Sequence, residues 1–368
     1  HDHGKDQCAK VCNSLQCGRP LGLEFDSRGM LYTVDPNFGL FSINVTTGTY
    51  QLVVSKEKLD ALFLDDLTLF EKPNGAIVFY MTDLSHRWPL EDSVLIVAEQ
   101  EQTGRLLSYD SEDGKIQVEL DQLSTPNGVE LTRDRSALLI ASVNDRLIYK
   151  YTISGEGKGK LEILAENLPG EPDNIHRSNN PNQDTYWVAL FTARNGQAPH
   201  KMDSFVELNS YLLKFILRLQ RSIGFLLESI AIFFQSEVLM DVGFIIRGLH
   251  LANPLVCNYG MVIELDGQTG EIVNSLHSPD GSICAMSEVL EIESTESERR
   301  FYLGSALNKY LGRLNLPKNV FRSSAIKNQE EKPKKTVNKQ TKAQSSDSKS
   351  SQSKVKNTNN NNKVKQEL

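Results

Sequence analysis

Short strand-like runs joined by tight turns recur along most of the chain, in units of roughly 40–60 residues. The first unit consists of strand-like residues 31–35 and 39–43, a turn at 44–48, and a further strand at 50–54. Similar units are marked by strand-like runs that start near residues 77, 137, 185, 261 and 301. A β-sandwich usually has evenly spaced strands and no repeat at the level of a whole unit. The repeat therefore predicts an all-β fold in which six units form a β-propeller.

One segment, residues 205–251, interrupts this pattern and is predicted to be helical. Lys214, Arg218 and Arg221 are spaced to share one face of a helix, and the other faces are apolar. Charged residues within 211–234 make this stretch too polar to span a bilayer. We expect an amphipathic insert that lies on a membrane surface, or a buried helical hairpin packed on the propeller face. Both expectations hold if one side of the insert packs on the propeller and the other side contacts lipid.

Charge is divided unevenly along the chain. The formal net charge is −7, whereas residues 327–368 alone carry +7, which leaves −14 on the remainder. An acidic body argues against a nucleic-acid-binding core. Residues 318–368 are rich in Lys, Ser, Gln and Asn, a composition that predicts a disordered C-terminal tail. The last four residues, Lys365-Gln366-Glu367-Leu368, resemble a KDEL-type signal for retrieval to the endoplasmic reticulum.

The cysteines and one sequon indicate the secretory pathway, on its luminal or extracellular side. Cys8, Cys12 and Cys17 crowd the start of the chain, without a CxxC pair or ligand spacing for zinc. A structural disulfide in an oxidising compartment explains them better. The sequon Asn44-Val45-Thr46 predicts a glycan on Asn44. Because the chain begins with His1 rather than Met, we allow for a targeting segment or membrane anchor before it.

Short oxygen-bearing side chains stand where three predicted strands begin. Asp65 lies in 64–69, Asn127 follows Pro126 in 125–131, and Asp173 and Asn174 lie in 171–175. Repeated once per unit, such groups would converge on a common axis and form a polar or cation-binding centre. The alternative is that they cap turns and tie neighbouring units together.

Five motifs, in this order, resemble the strictosidine synthase-like family, and most closely its animal, membrane-associated branch. They are CGRPLGL at 17–23, DDLT at 65–68, GRLLSYD at 104–110, PNGV at 126–129 and PDNI at 172–175. The resemblance implies a six-bladed β-propeller over residues 17–317, with a helical insert at 205–251 and an N-terminal segment at 1–16. It also implies an N-terminal anchor, a luminal or extracellular propeller, and a disulfide between Cys8 and Cys17.

The wider superfamily includes calcium-dependent propeller hydrolases, so the resemblance implies a possible Ca²⁺ site on the axis. Its ligands would be four of the strand-entrance residues: Asp65, Asn127, Asp173 and Asn174. The sequence departs from these relatives at Arg19, where they place a glutamate ligand. A guanidinium cannot bind a cation, but it could pair with the axial acids and replace the charge of the metal.

The resemblance also implies a catalytic residue, Glu288, at the position of the acid/base glutamate of strictosidine synthase. A carboxylate at the propeller mouth could relay a proton near neutral pH. Met286 stands where the plant enzyme has a histidine, so we rank a Pictet–Spengler condensation last. His277 is expected either to line the mouth or to lie in a surface loop.

Two functions therefore lead. The first is a hydrolase of small aryl esters or lactones, acting on apolar or aromatic substrates at the mouth. The second is a non-catalytic, membrane-associated recognition protein whose helical insert touches the membrane surface. Neither function involves nucleic acid.

Overall fold

The strands of the computed structural model form five small antiparallel sheets. The structure describes residues 18–100, 102–180, 183–194, 210–248, 259–292 and 298–317. Within these ranges the first sheet contains β1 (Leu23–Phe25), β2 (Met30–Asp35), β3 (Gly39–Asn44) and β4 (Thr49–Ser55). The second contains β5 (Leu64–Glu71), β6 (Ile77–Asp83), β7 (Gly104–Asp110) and β8 (Ile116–Leu123). The third contains β9 (Pro126–Leu131), β10 (Ala137–Ser142), β11 (Leu147–Thr152) and β12 (Leu161–Ala165).

The fourth sheet contains β13 (Gly170–Arg177), β14 (Thr185–Ala193), β15 (Gly260–Asp266) and β16 (Ile272–Ser278). The fifth contains β17 (Met286–Ile292), β18 (Glu298–Ser305) and β19 (Gly312–Pro317). The helices in the described ranges are α1 (Lys56–Leu59), a 3₁₀ turn (Leu90–Asp92), α2 (Ser93–Glu99), α3 (Ser210–Phe234) and α4 (Glu237–Arg247).

One turn recurs between the third and fourth strands of three sheets. Each example begins with Asn or Asp, whose side-chain oxygen accepts a hydrogen bond from a backbone N–H of the turn, as in Asn44 with Thr46. Each ends four residues later with a glycine at positive φ, namely Gly48, Gly114 and Gly270. The backbone N–H of that glycine donates to the carbonyl of the first residue. This local chemistry is why the repeat is visible in the sequence.

The first strands of the five sheets lie side by side in chain order, β1, β5, β9, β13 and β17. Neighbouring sheets pack face to face through apolar cores. Tyr32 of the first sheet meets Phe79 of the second with ring centroids 4.8 Å apart, and Trp187 of the fourth meets Phe301 of the fifth at 5.1 Å. An all-β fold is therefore confirmed, and this arrangement is consistent with a propeller.

The prediction of separate fourth and fifth units is wrong. Strand β14 pairs directly with β15, with Thr185 opposite Asp266, so residues 185–191 and 261–276 belong to one sheet. The helical insert lies between these two neighbouring strands, because strands that pair in space can be far apart in the chain. The described residues thus hold five sheets, and the count of six blades stays a prediction.

The insert forms a helical hairpin of α3 and α4. Its two helices touch through glycines: a Cβ on Gly224 would lie 2.8 Å from the Gly243 carbonyl oxygen, and one on Gly243 would lie 2.9 Å from that of Gly224. None of the helices in the described ranges is long and apolar enough to cross a membrane. The predicted segments 1–16 and 318–368 lie outside the described residues, so those domain boundaries stay predictions.

A buried ionic network joins the fourth and fifth sheets at Arg299. Its guanidinium donates two hydrogen bonds to Glu291, of 2.6 and 2.7 Å, and lies 3.6 Å from Glu264. Trp187 Nε1 also donates to Glu291 Oε2, at 3.1 Å. All four side chains are buried, so the single cation balances two carboxylates that water does not reach.

Replacing Arg299 by Met should therefore lower the free energy of unfolding by about 3–5 kcal/mol, because two carboxylates would stay buried without their cation. Urea unfolding measures this directly. The matched control is Arg300→Met on the next residue of β18, which is only half-buried and should cost well under half as much. A loss below about 1 kcal/mol for Arg299→Met would contradict the importance of this network.

Candidate functional site

The predicted site residues lie near the beginnings of four neighbouring strands. Asp65 and Asn127 are the second residues of β5 and β9. Asp173 and Asn174 are the fourth and fifth residues of β13, and Glu288 is the third residue of β17. Because these strands lie side by side, the structure gathers the predicted residues at one end of the sheet axis.

Gly128 allows β9 and β13 to approach closely at this end. A Cβ at this position would lie 2.6 Å from Asn174 Cα and 2.7 Å from the Asp173 carbonyl oxygen. Any side chain would therefore push the strands apart. The glycine of the PNGV motif brings Asn127 next to Asp173, and Asn127 donates a side-chain hydrogen bond to the Asp173 carboxylate.

Two buried amide oxygens at this end lack a hydrogen-bond partner. They are Asn127 Oδ1 and Asn174 Oδ1, from the adjacent strands β9 and β13. The amide of Asn174 donates from Nδ2 to Glu288 Oε2 at 3.3 Å, and Glu288 Oε1 lies 3.0 Å from His176 Nε2. An unpaired buried oxygen costs about 1–3 kcal/mol, so a ligand that binds both amide oxygens would stabilise this end of the fold.

The carboxyl groups around these oxygens have raised pKa values. Burial, reinforced by the neighbouring Asp66, raises the pKa of Asp65 to about 8. Burial also raises the pKa of Asp66 to about 7. The pKa of Asp173 is raised well above its ordinary value by burial and by repulsion from Asp65, Glu288 and Asp66. The site thus concentrates acids that a bound cation would stabilise in their charged form.

Asp66 also has a structural role. Its Oδ2 accepts a hydrogen bond of 2.8 Å from Val129 N, and its own N–H donates 3.0 Å to Thr82 Oγ1. Thr82 in turn donates 2.7 Å to the Asn127 carbonyl oxygen. The alternative interpretation, in which such residues tie neighbouring units together, therefore holds for Asp66.

His176 is the site residue that sequence reasoning missed. Its Nε2 lies 3.0 Å from the Glu288 carboxylate, and its Nδ1 lies 3.4 Å from Glu130 Oε2. Burial alone would lower the pKa of His176, but attraction and hydrogen bonding from Glu288 and Glu130 outweigh it and raise the pKa well above 6.5. The sequence could have indicated His176 through the alternation of side chains along a strand. Residues two apart on a strand, such as Asn174 and His176, point to the same face of the sheet.

The hypothesis that Arg19 replaces the charge of a metal is wrong. The Arg19 side chain is exposed, and it forms no ion pair with the axial acids among the residues that the structure covers. Its backbone N–H donates 2.5 Å to Asp35 Oδ2, which anchors the chain beside the first sheet instead. A basic side chain that does contact the site is His176, whose Nε2 lies 3.0 Å from the Glu288 carboxylate.

His277 and Met286 do not line the axial site. His277 lies on β16, the outermost strand of its sheet, where Nδ1 contacts the Tyr259 hydroxyl at 2.6 Å and Nε2 contacts Ser275 Oγ at 2.7 Å. It is exposed on a strand rather than in a loop. Met286 is buried in the core between the fourth and fifth sheets.

The donor set suits a hard cation such as Ca²⁺, which prefers several oxygen ligands in flexible geometry. Asp65, Asn127, Asp173 and Asn174 would supply carboxylate and amide oxygens, two of which are now unpaired. The described ranges hold no set of three or more His, Cys, Asp or Glu arranged for a metal ion. A cation here would therefore depend on the amide oxygens.

Three other predicted features remain predictions. Asn44 lies at the β3–β4 turn, where its Oδ1 accepts hydrogen bonds from Thr46 N and Thr47 N. These hydrogen bonds do not test whether Asn44 carries a glycan. Cys8 and Cys17, the predicted disulfide, lie outside the described residues, as does the retrieval sequence at 365–368.

Comparison with known proteins identifies the family. The strictosidine synthase family pattern matches residues 65–156. The adipocyte plasma membrane-associated protein of Danio rerio is 33% identical over 319 residues, covering 86% of this chain and 68% of the relative. The chain belongs to the strictosidine synthase-like family. The human protein of the same name is 31% identical over 318 residues, with 85% and 67% coverage. Drosophila hemomucin is 28% identical over 319 residues, with 84% and 52% coverage.

Solved structures of distant sequence are also similar to this strictosidine synthase-like chain. Regucalcin of Agrobacterium tumefaciens, described as a calcium-binding protein, has a TM-score of 0.42 at 11% identity and covers 79% of this chain and 70% of its own. A luciferin-regenerating enzyme has a TM-score of 0.39 at 11% identity, with 80% and 90% coverage.

Proposed function

We propose that this protein is a calcium-dependent hydrolase of small aryl esters or lactones. The observation that carries the proposal is the pair of unpaired buried amide oxygens, Asn127 Oδ1 and Asn174 Oδ1, beside the contact between His176 and Glu288. Buried polar atoms are normally paired, so a cluster of unpaired acceptors supports a cation or substrate site. A histidine bonded to a glutamate supports proton transfer at the same place.

The residues divide into two roles. Asp65, Asn127, Asp173 and Asn174 would hold the calcium ion, which when bound polarises the carbonyl group of an ester or lactone. Glu288 takes the proton of the attacking water, since its side chain is 35% exposed and can be reached from the mouth. His176 holds the Glu288 carboxylate in position through the 3.0 Å contact and places a positive charge beside it.

Hydrolysis of phenyl acetate and a panel of aliphatic lactones tests this proposal. Asn127→Ala and Asp173→Ala should each lower kcat/KM by about 100-fold or more, because the group that stabilises the developing negative charge would be lost. Asn74→Ala, in an exposed turn far along the sheet from the site, is the matched control and should leave the rate unchanged. Unchanged activity in both site variants would contradict the proposal.

A second candidate is a non-catalytic, membrane-associated recognition protein. The names of the relatives support it, since those proteins are described as plasma membrane-associated. The same assay separates the candidates, because a recognition protein would hydrolyse none of the esters or lactones while still folding normally.

A further inference from the structure

The α3–α4 hairpin exposes an unusual amount of apolar surface. Among its exposed apolar side chains, 49–81% accessible, are Phe215, Leu219, Leu226, Ile232, Phe233, Phe234 and Val238. Phe233 and Phe234 stand at the tip, where α3 ends, with their rings in an edge-to-face contact. Contiguous exposed apolar surface on this scale marks a site that contacts another apolar phase or protein.

Two arginines of α3 pair with buried acids of the protein body. Arg218 donates two hydrogen bonds to the buried Glu99 of α2, at 2.7 and 3.0 Å. Arg221 lies 2.8 Å from the buried Asp92. Two of the three residues of this basic face therefore bind the protein body, and contact of the insert with a membrane surface stays a prediction.

Two hydroxyl groups on the outer side are paired within the helix. Ser222 Oγ donates 2.8 Å to the Arg218 carbonyl oxygen, and Ser229 Oγ donates 2.8 Å to that of Phe225. Hydroxyl groups bonded in this way enter an apolar medium at little cost. Exposed carboxylates are confined to α4, where Glu237 and Asp241 share one face. These two charges would repel anionic headgroups.

The hairpin and the axial site lie at the same end of the sheets. The α2 connection leaves the end of β6, where Asp83 pairs with Leu64 beside the site residue Asp65. The insert leaves the end of β14, where Ala193 pairs with Gly170 at the start of β13. Leu213 and Leu217 of α3 pack on Leu95 of α2, which fixes the hairpin at this end.

We infer that the α3–α4 hairpin docks into the interface of a neutral, zwitterionic lipid surface, with the Phe233–Phe234 tip inserted. From residue 222 to the tip, α3 exposes no charged side chain, because Glu228 pairs with Arg247 at 3.3 Å and both are mostly buried. This stretch matches the apolar layer below the headgroups, and the acids on α4 disfavour anionic lipid. The position of the hairpin also assigns a substrate class, namely esters or lactones dissolved in the membrane. This assignment rests on the proposed function, whereas the docking surface does not.

Vesicle flotation with the full chain tests the docking surface. The probe is phosphatidylcholine vesicles, with or without 20% phosphatidylserine and 0.5 M NaCl. Binding to the neutral vesicles is expected at both salt concentrations. The double variant Phe233→Ser/Phe234→Ser should reduce the partition coefficient by about tenfold or more, because two phenyl side chains no longer leave water. Val118→Ser/Ile163→Ser, at two exposed apolar positions on outer strands, is the matched control and should bind like the natural sequence.

Three results would overturn the inference. They are equal binding by the Phe233→Ser/Phe234→Ser variant, binding that needs phosphatidylserine and disappears in 0.5 M NaCl, and a dimer in solution that this variant dissociates. The first would exclude the hairpin tip, the second would assign binding to basic segments, and the third would make the hairpin an interface between two copies.

An activity measurement separates this inference from the proposed function. The Phe233→Ser/Phe234→Ser variant should hydrolyse water-soluble phenyl acetate at the rate of the natural sequence. It should hydrolyse a long-chain aryl ester held in vesicles at least fivefold more slowly. Flotation that succeeds without hydrolysis of either ester would refute the proposed function and the substrate class while supporting the docking surface. Equal loss on both esters would overturn the assigned substrate class.

Discussion

Replacing Glu288 by Gln is expected to lower kcat for phenyl acetate by a factor of about 10²–10⁴, the usual contribution of a general base. Gln keeps the shape of the side chain and an oxygen acceptor for the Asn174 amide, which now donates to Glu288 at 3.3 Å. It cannot take a proton from water. Steady-state kinetics at saturating substrate and calcium measures the effect.

Two controls show whether the loss concerns chemistry. Glu271→Gln, at an exposed position beside the β15–β16 turn, should leave kcat unchanged. The calcium-induced rise in melting temperature should persist in Glu288→Gln, because the proposed ligands are other residues. A variant that keeps more than about half of the natural kcat would show that Glu288 is structural and that another residue activates water.

Calcium is expected to raise the melting temperature by about 3–5 °C relative to chelator. A ligand at 100 times its dissociation constant stabilises the folded state by about 2.7 kcal/mol, and a folded region of roughly 300 residues gains about 1–2 °C per kcal/mol. Asn127→Ala and Asp173→Ala should remove the shift. Asp113→Asn, in an exposed turn, should preserve it. The absence of any shift in the natural sequence would refute the metal site.

The calcium shift should also grow as pH rises from 6 to 9. The pKa of Asp65, a proposed ligand, is raised by burial to about 8, so calcium at pH 6 must displace its proton. The neighbouring Asp66, whose pKa burial raises to about 7, adds negative charge beside the ion only once it is ionised. The stability of the calcium-free protein, measured in chelator, should change with pH in the opposite direction. Because these folded-state pKa values lie above the ordinary value of 3.8, the free energy of unfolding falls as pH rises from about 4 towards 8, and then levels off. Melting curves at several pH values, with calcium and with chelator, measure both trends. A calcium shift that is the same at pH 6 and pH 9 would contradict binding at these acids.

Local chemistry made much of this protein predictable from its residues. The Asn44–Gly48, Asp110–Gly114 and Asp266–Gly270 turns each depend on a side chain and a glycine within five residues, so they reveal the repeat directly. The strand-entrance positions of Asp65, Asn127 and Asp173 follow from the same repeat, and the ordered motifs identified the family.

Long-range pairing decided what the sequence could not. Strands β14 and β15 form one sheet across an intervening helical hairpin, because the hydrogen bonds of a strand are satisfied by whichever strand lies beside it. Arg218 and Arg221 have the spacing of one basic helix face, and their partners are buried acids more than 100 residues earlier in the chain, which no local pattern indicates.

The sequence by itself thus determined the strand units, their turns and the oxygen donors at the strand entrances, since each depends on residues close together in the chain. Only the tertiary structure placed His176 between Glu130 and Glu288, because those contacts join three strands that are adjacent solely in the folded protein. Nothing local distinguishes His176 from any other strand histidine, whereas the fold surrounds it with the two carboxylates that set its charge.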